Sequence, residues 1–114
     1  MAAIKEDYCS REIYRLLIEK GFDGEVHTTF DEEGYTQPSI TLQMAMKWLR
    51  GVHGLHISLE PCYDYDSMHV VFLAFVQNVA DVHEFMDGRK NVATHPSAEK
   101  SCELAIRYCL ENLI

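Results

Sequence analysis

The nine residues from Met68 to Val76, MHVVFLAFV, constrain the fold of this chain more than any other stretch. The longest apolar run in the sequence, Val70 to Val76, lies within it and has the length of a strand, whereas a membrane-spanning helix needs about 20 apolar residues. Successive side chains of a strand point to opposite faces, so both faces of this one are apolar. Such a strand is usually central in its sheet or covered on both sides, and we expect a central position here.

Other segments with regular patterns surround this strand. Leu55–Glu60, LHISLE, alternates apolar and polar residues and predicts a strand with one buried face, followed by a connection, PCYDYDS. Three segments with apolar residues at helical spacing predict three amphipathic helices. The first helix is expected to begin at Asp7 or Ser10 and to end at Gly21. The second is expected to begin at Pro38, Ser39 or Thr41 and to end at Gly51 or Gly54, and the third begins at Ser97. The expected stripe of the second helix is Leu42, Ala45, Met46, Trp48, Leu49 and Val52, and that of the third ends at Leu113.

The remaining segments complete the predicted order. A hairpin is expected within Asp23–Gln37, and Gln77–Pro96 is compatible with a short strand or a helical turn. The order is then helix, hairpin, helix, strand, strand, helix. It predicts a small α+β domain of two layers, residues 1–114, in which three amphipathic helices pack on an antiparallel sheet. A hydrophobic content of 47% and a charged content of 25% are typical of globular proteins, so disorder is not expected.

Charge and cysteine content restrict the partners. The net charge of −8 opposes approach to phosphate backbones, so we expect no direct binding of nucleic acid. No stretch is apolar enough for a membrane span, and the start, MAAIKEDYCSREIY, has no apolar run of signal-peptide length. The four cysteines have no CxxC spacing. We therefore expect a cytoplasmic protein with reduced cysteines and no membrane association.

Histidines and a cysteine cluster in RGVHGLHISLEPCYDYD, where a metal site is conceivable. In an extended strand His56 and Cys62 share a face but lie about 20 Å apart, at about 3.3 Å per residue. Ligands of one metal ion lie within about 4 Å of one another, so no metal site is predicted. A site at His56 is open only if another ligand joins it, and the candidate for that ligand is His69 on the partner strand. No GxGxxG, P-loop, GxSxG or HExxH motif occurs, and no cofactor is predicted.

Cysteine nucleophiles are the other chemical possibility. Cys102 and Cys109 fall in the apolar stripe of the last helix and are expected to be buried. Cys9 lies at the start of the first helix, where the helix dipole and Arg11 would lower the pKa of its thiol. A nucleophile also needs a base, and no histidine lies near Cys9 in the sequence. No catalytic residue is predicted, and Cys9 is kept only as a weak alternative.

Aromatic and apolar residues that are expected to be exposed are candidates for a protein-interaction site. Tyr63 and Tyr65 lie in the polar connection PCYDYDS, where they are available to contact a partner. Val70 and Phe72 lie on one face of the apolar strand, and Val71, Leu73 and Phe75 lie on the other. Three helices can cover only one face of a small sheet. Either Gln77–Pro96 covers the second face or a second copy of the chain does, and we expect a homodimer.

Three segments, YCSREIYRLLIEKGFDG, ITLQMAMKWLRGVHGLHI and IRYCLENLI, resemble short uncharacterised proteins of prophages and mobile elements of gut anaerobes. They cover about two-fifths of the chain. The resemblance implies a compact α+β protein encoded on a mobile element, and it implies no activity or cofactor. Our first hypothesis is a non-enzymatic accessory protein that binds an unknown protein partner. The alternatives are an acidic decoy of a nucleic-acid-binding host protein and a small enzyme that uses Cys9 or a His56/His69 site.

Overall fold

The computed structural model describes residues 7–114, and this range forms four helices and five strands. Residues 1–6 of the predicted domain lie outside it. In chain order the elements are α1 (Arg11–Glu19), β1 (His27–Phe30), β2 (Thr36–Ser39), α2 (Leu42–His53), β3 (Leu55–Asp64), β4 (His69–Asn78), α3 (Val82–Met86), β5 (Lys90–His95) and α4 (Ala98–Asn112). The α+β class predicted from the sequence is confirmed.

The predicted central strand is the centre of a three-stranded antiparallel sheet. β4 pairs with β3 on one side and with β5 on the other, with a register shift in the second pairing between Ala74 and Phe75. β3 pairs with β4 over its whole length, from Leu55 opposite Asn78 to Asp64 opposite His69. The strand is therefore longer than the predicted Leu55–Glu60, because pairing with β4 extends it through most of the expected connection. β1 and β2 form a separate two-stranded sheet, as predicted.

Local capping groups set the limits of α1. The Ser10 side chain accepts a hydrogen bond from the Ile13 amide at the N-terminus. At the C-terminus Gly21 has a φ of +94°, and the Phe22 amide donates to the Leu17 carbonyl at 2.9 Å. These are the bonds of a Schellman ending, which needs a residue in the left-handed region that glycine adopts without steric cost.

The ends of α2 partly match the prediction. Thr41 is the N-cap, whereas Pro38 and Ser39 lie in β2. Gly54 ends the helix with a φ of +68°, and a Cβ atom at this residue would lie 2.4 Å from the Cβ atom of Ala80. Only glycine fits this close approach between the start of β3 and the segment after β4. Val52 is 61% exposed, so the buried stripe of α2 ends one turn before the helix does, and the expected burial of Val52 is wrong.

The hydrophobic core lies between the helices and one face of the β3–β4 pair. Its fully buried residues come from α1, from the segment before α2, from α2, from β4 and from α4; they are Leu17, Ile40, Ala45, Leu49, Ala74, Ala105, Ile106, Cys109 and Leu110. Ile57 and Val76, which face each other across the two strands, are also buried. Leu113, the expected end of the α4 stripe, is the C-cap and is exposed, because α4 ends at Asn112.

Residues 77–96 form both of the elements considered for them, the short helix α3 and the strand β5. The sequence predicted three amphipathic helices, and α3 is the helical turn considered for this segment. β5 supplies the third strand of the sheet, and the residues before it cover part of the second face of β4. The Arg89 guanidinium lies 3.9 Å from the centre of the Phe75 ring, and the Gln77 side chain donates to the Phe85 carbonyl. Val71 on the same face is 8% exposed. Because the chain itself covers part of the second face of the sheet, part of the reason for expecting a dimer is removed.

Candidate protein-interaction surface

The β3–β4 hairpin ends in a group of exposed apolar side chains. Tyr63 is 42% exposed, Tyr65 80%, Met68 66% and Val70 50%. We call these four residues the tip patch. Three of them were candidates from the sequence. Met68 was not a candidate because it was predicted to be the first residue of the apolar strand, whereas β4 begins at His69. Phe72, the remaining candidate, is half-buried and lies on the same strand face as Val70.

Polar contacts give the turn between the two strands a defined conformation. The Asp64 carboxylate accepts hydrogen bonds from the Asp66 amide at 3.1 Å and from the Ser67 hydroxyl at 2.9 Å. The Met68 amide donates to the Asp64 carbonyl at 2.8 Å. An aspartate that binds the backbone two residues later is a common turn former, so the DYDS sequence itself predicts this turn.

Met68 has a φ of +61°, the only positive φ of a non-glycine residue within the described residues. This left-handed conformation brings the Cβ atom of an L-residue close to the following carbonyl and costs roughly 1–2 kcal/mol. The strained residue is also one of the most exposed large apolar residues of the protein. Its side chain is thus held at the surface by a backbone conformation that glycine would adopt more easily.

The two tyrosines of the tip patch contact each other, and Tyr63 also contacts Met68. The rings of Tyr63 and Tyr65 are 4.9 Å apart in an edge-to-face arrangement, a favourable geometry for aromatic pairs. The Tyr63 hydroxyl lies 3.7 Å from the Met68 sulfur and donates to it. Because these contacts already restrict the side chains, binding a partner would cost less conformational entropy than ordering free side chains would.

A shallow hollow of about 450 Å³ adjoins the tip patch on the second face of the sheet. Tyr65 borders it, and Cys62, Val71, Leu73 and Thr94 are among its other lining residues. Tyr65 therefore belongs both to the tip patch and to the wall of the hollow. The size of the hollow suits one apolar side chain or a short segment of another protein.

The contact between Ser101 and β4 shows how far toward the hairpin tip the helix α4 covers the sheet. The Ser101 hydroxyl is fully buried and donates to the Phe72 carbonyl at 2.9 Å, close to the N-terminus of α4 at Ala98. Residues of β4 on the turn side of Phe72 lie beyond this contact. This places Val70 outside the cover that α4 gives to Ala74 and Val76.

The structure gives Cys9 an environment opposite to the expected one. The thiol is buried, and burial raises its pKa from 9.0 to about 12, with a smaller contribution from the Glu103 carboxylate. The expectation of a lowered pKa is wrong, because the residue packs in the core instead of facing the dipole from solvent. Cys102 and Cys109 are buried as predicted, and burial raises the pKa of each thiol to about 12 as well.

The two candidate histidines of the sheet are not brought together. His56 lies opposite Gln77, and His69 lies opposite Asp64. The two histidines are therefore eight residue positions apart along the paired strands, a distance of about 26 Å. Within residues 7–114, no group of three or more His, Cys, Asp or Glu side chains is placed to hold a metal ion. His53, at the end of α2, packs its ring on Trp48 at a centroid distance of 4.7 Å.

Comparison with known proteins adds no assignment to this geometry: no protein-family model, curated protein or solved structure matches the chain. None of the helices within residues 7–114 is long and apolar enough to cross a membrane.

Proposed function

We propose that this protein is a non-enzymatic accessory protein of prophage or mobile-element origin that binds a partner protein through the tip patch. The observation that carries the proposal is the combination of exposure and order at the hairpin tip. The rings of Tyr63 and Tyr65 and the side chain of Met68 are exposed, yet they contact one another and extend from a hydrogen-bonded turn. Ordered aromatic residues and methionine are the residue types enriched at protein interfaces.

Other exposed apolar side chains support the proposal less well. Phe30 and Tyr35 lie on the β1–β2 hairpin, and Val82 and Met86 lie on α3. None of the aromatic ring pairs within residues 7–114 joins Phe30 to Tyr35, and α3 is only five residues long. The tip patch combines an edge-to-face aromatic pair with an adjoining hollow.

The charge of the tip patch defines the chemistry of the partner. Asp64 lies between the two exposed tyrosines and Asp66 follows the second, and the whole chain has a net charge of −8. The partner surface therefore needs an apolar centre for Tyr65 and Met68 and a rim of Lys or Arg. Two copies of the tip would bring like charges together, so a different protein fits this surface better than a second copy does.

Site-specific photo-crosslinking in cells tests this proposal. A photoreactive phenylalanine analogue replaces Tyr65, and Phe30 is replaced in the same way as the matched control. We expect one discrete heterologous product from position 65 and none of the same size from position 30. With the purified partner, Tyr65→Ala and Met68→Ala should each weaken binding by at least about tenfold, because a few central residues, often tyrosine, carry most of the binding energy and methionine is enriched at interfaces.

Two outcomes would contradict the proposal. One is a product that forms equally from positions 30 and 65, and the other is partner binding that survives both tip substitutions but is lost with Met86→Ala on α3. If the partner is a nucleic-acid-binding protein that the complex displaces from its nucleic acid, the protein acts as the acidic decoy considered above.

A homodimer is the second candidate, and a different observation favours it. β3 and β5 are the edges of the three-stranded sheet, and no strand pairs with the outer edge of β3 within the described residues. Edge strands can pair with a second copy of themselves around a twofold axis. Light scattering after size exclusion at about 20 µM tests this: twice the chain mass of 13.1 kDa supports the dimer, and the single mass contradicts it.

The cellular location that we propose is the cytoplasm. All four cysteines are free, and three of them, Cys9, Cys102 and Cys109, are buried in the core. Free thiols are typical of reducing compartments.

A further inference from the structure

A second concave site lies at the end of the sheet opposite the tip patch. There β3 begins, β4 ends and β5 begins, and α3 and the C-terminal part of α4 form the walls of a pocket of about 540 Å³. The pocket is within the size range of small-molecule sites in proteins. Its apolar lining includes Leu55 and Val76, both buried in the core, and the half-buried Val92.

One positive group lies at the wall of this pocket. The Lys90 ammonium donates a hydrogen bond to the Tyr108 hydroxyl at 2.8 Å and lies 5.2 Å from the centre of that ring. An ammonium has three donors, so two remain for other acceptors. Lys90 makes no salt bridge with any carboxylate of the described residues, whereas its neighbour Arg89 is paired with Glu60.

One negative group lies on the α3 side of the pocket. Asn78 donates to one carboxylate oxygen of Glu84 at 2.6 Å, and the same asparagine accepts from the amides of Ala80 and Asp81. These bonds attach α3 to the end of β4 and fix the position of Glu84. Its second oxygen makes no hydrogen bond or salt bridge with the part of the chain that the structure describes.

We propose that this pocket binds a small zwitterion with an apolar body, of the class of apolar α-amino acids. The ligand carboxylate accepts from Lys90 and from the Tyr108 hydroxyl, and the ligand ammonium donates to Glu84. The apolar side chain of the ligand contacts Leu55, Val76 and Val92. A cation would pair only with Glu84 and an anion only with Lys90, and this separates the proposed class from singly charged molecules.

Titration of the full chain with three related probes, followed by amide chemical shifts, tests the site. The probes are L-phenylalanine, 3-phenylpropanoate, which lacks the ammonium, and 2-phenylethylamine, which lacks the carboxylate. We expect L-phenylalanine to shift the amides around Asn78, Glu84 and Lys90 saturably, and each singly charged probe to bind at least about tenfold more weakly, equal to about 1.4 kcal/mol.

Matched substitutions separate specific binding from general surface effects. Lys90→Met and Glu84→Gln should each weaken binding of L-phenylalanine by about tenfold or more. Lys47→Met and Glu19→Gln, which change the same residue types at exposed positions of α2 and α1, should leave binding unchanged. The amide spectrum of each variant shows whether it is folded.

Three results would overturn this inference. The first is that no probe causes saturable amide shifts at concentrations up to about 10 mM, because a dissociation constant above this concentration is too weak for a useful site for such ligands. The second is equal binding of L-phenylalanine and either singly charged probe. The third is binding that survives both Lys90→Met and Glu84→Gln in folded protein. None of these results bears on the tip patch, which lies at the other end of the hairpin.

Discussion

The two ends of the β3–β4 hairpin have the same strands and the same apolar pattern but different surroundings. Near the base, Ile57 and Val76 lie opposite each other and are buried beneath the helical layer. Near the tip, Tyr63 and Val70 lie opposite each other on the same face and are exposed. The difference shows that the burial of a strand residue depends on what covers it and cannot be inferred from the alternation of the strand alone.

Length explains why the tip is uncovered. A ten-residue strand spans about 33 Å, whereas the fifteen residues of α4 span about 22 Å. The N-terminal part of α4 meets β4 at Phe72, through the Ser101 hydroxyl. The turn and the residues next to it then extend past the helix, and their apolar side chains remain available to a partner.

Alkaline pH should affect the core far more than the tip, and this is the largest effect we expect. Burial raises the pKa of Cys9, Cys102 and Cys109 to about 12, so the unfolded chain loses these protons first. The stability that the neutral thiols contribute is complete below about pH 9 and is lost as the pH rises toward about 12. Together they should lower the free energy of unfolding by about 4 kcal/mol at about pH 10.

Urea unfolding under reducing conditions at about pH 8 and about pH 10 measures this loss. Cys109→Ala should reduce the pH-dependent loss by roughly a third, since it removes one of three equivalent contributions. Cys62→Ala is the matched control, because that thiol is exposed near the tip. A free energy of unfolding that does not change between the two pH values would show that the three thiols are not buried as described.

The same substitution at two positions on one face of β4 tests the comparison directly. Val76→Ala at the base should lower the free energy of unfolding by about 2 kcal/mol, because it removes buried methyl groups and leaves a cavity. Val70→Ala at the tip should lower it by less than about 0.5 kcal/mol, the usual range for exposed sites. Chemical denaturation gives both values, and equal losses would mean that the helical layer covers the whole hairpin.

The smallest expected effect concerns the backbone of the tip. Met68→Gly and Met68→Ala remove the same side chain, but only glycine relieves the left-handed conformation of φ +61°. We expect the glycine variant to be more stable than the alanine variant by at most about 1 kcal/mol, because the entropy that glycine adds to the unfolded chain offsets part of the relieved strain. Thermal melts of the pair measure the difference. A more stable alanine variant would show that the turn does not hold this conformation in solution.

Much of the local structure could be predicted from the sequence. The Ser10 cap, the Gly21 ending of α1, the β1–β2 hairpin and the Ser97 cap of α4 depend on residues within a few positions of one another. The central place of β4 was predictable for a related reason, since its apolar residues on both faces leave few other solutions. Of the candidate site, the exposed tyrosines were predictable because DYDS favours a turn.

The remaining parts depend on contacts between distant segments. The length of β3 and the strand β5 follow from pairing with β4, and the position of α3 depends on its contact with Asn78 at the end of β4. The burial of Cys9 follows from its place in the same core cluster as Cys102, 93 residues later in the chain. The exposure of Met68 follows from where α4 begins, at the level of Phe72, and the pocket between Glu84 and Lys90 follows from how α3 attaches to Asn78. The sequence by itself determined the elements whose hydrogen bonds and side-chain contacts are local. The tertiary structure decided which apolar residues are covered and which charges meet, because both depend on the distances between elements and not on the order of residues within them.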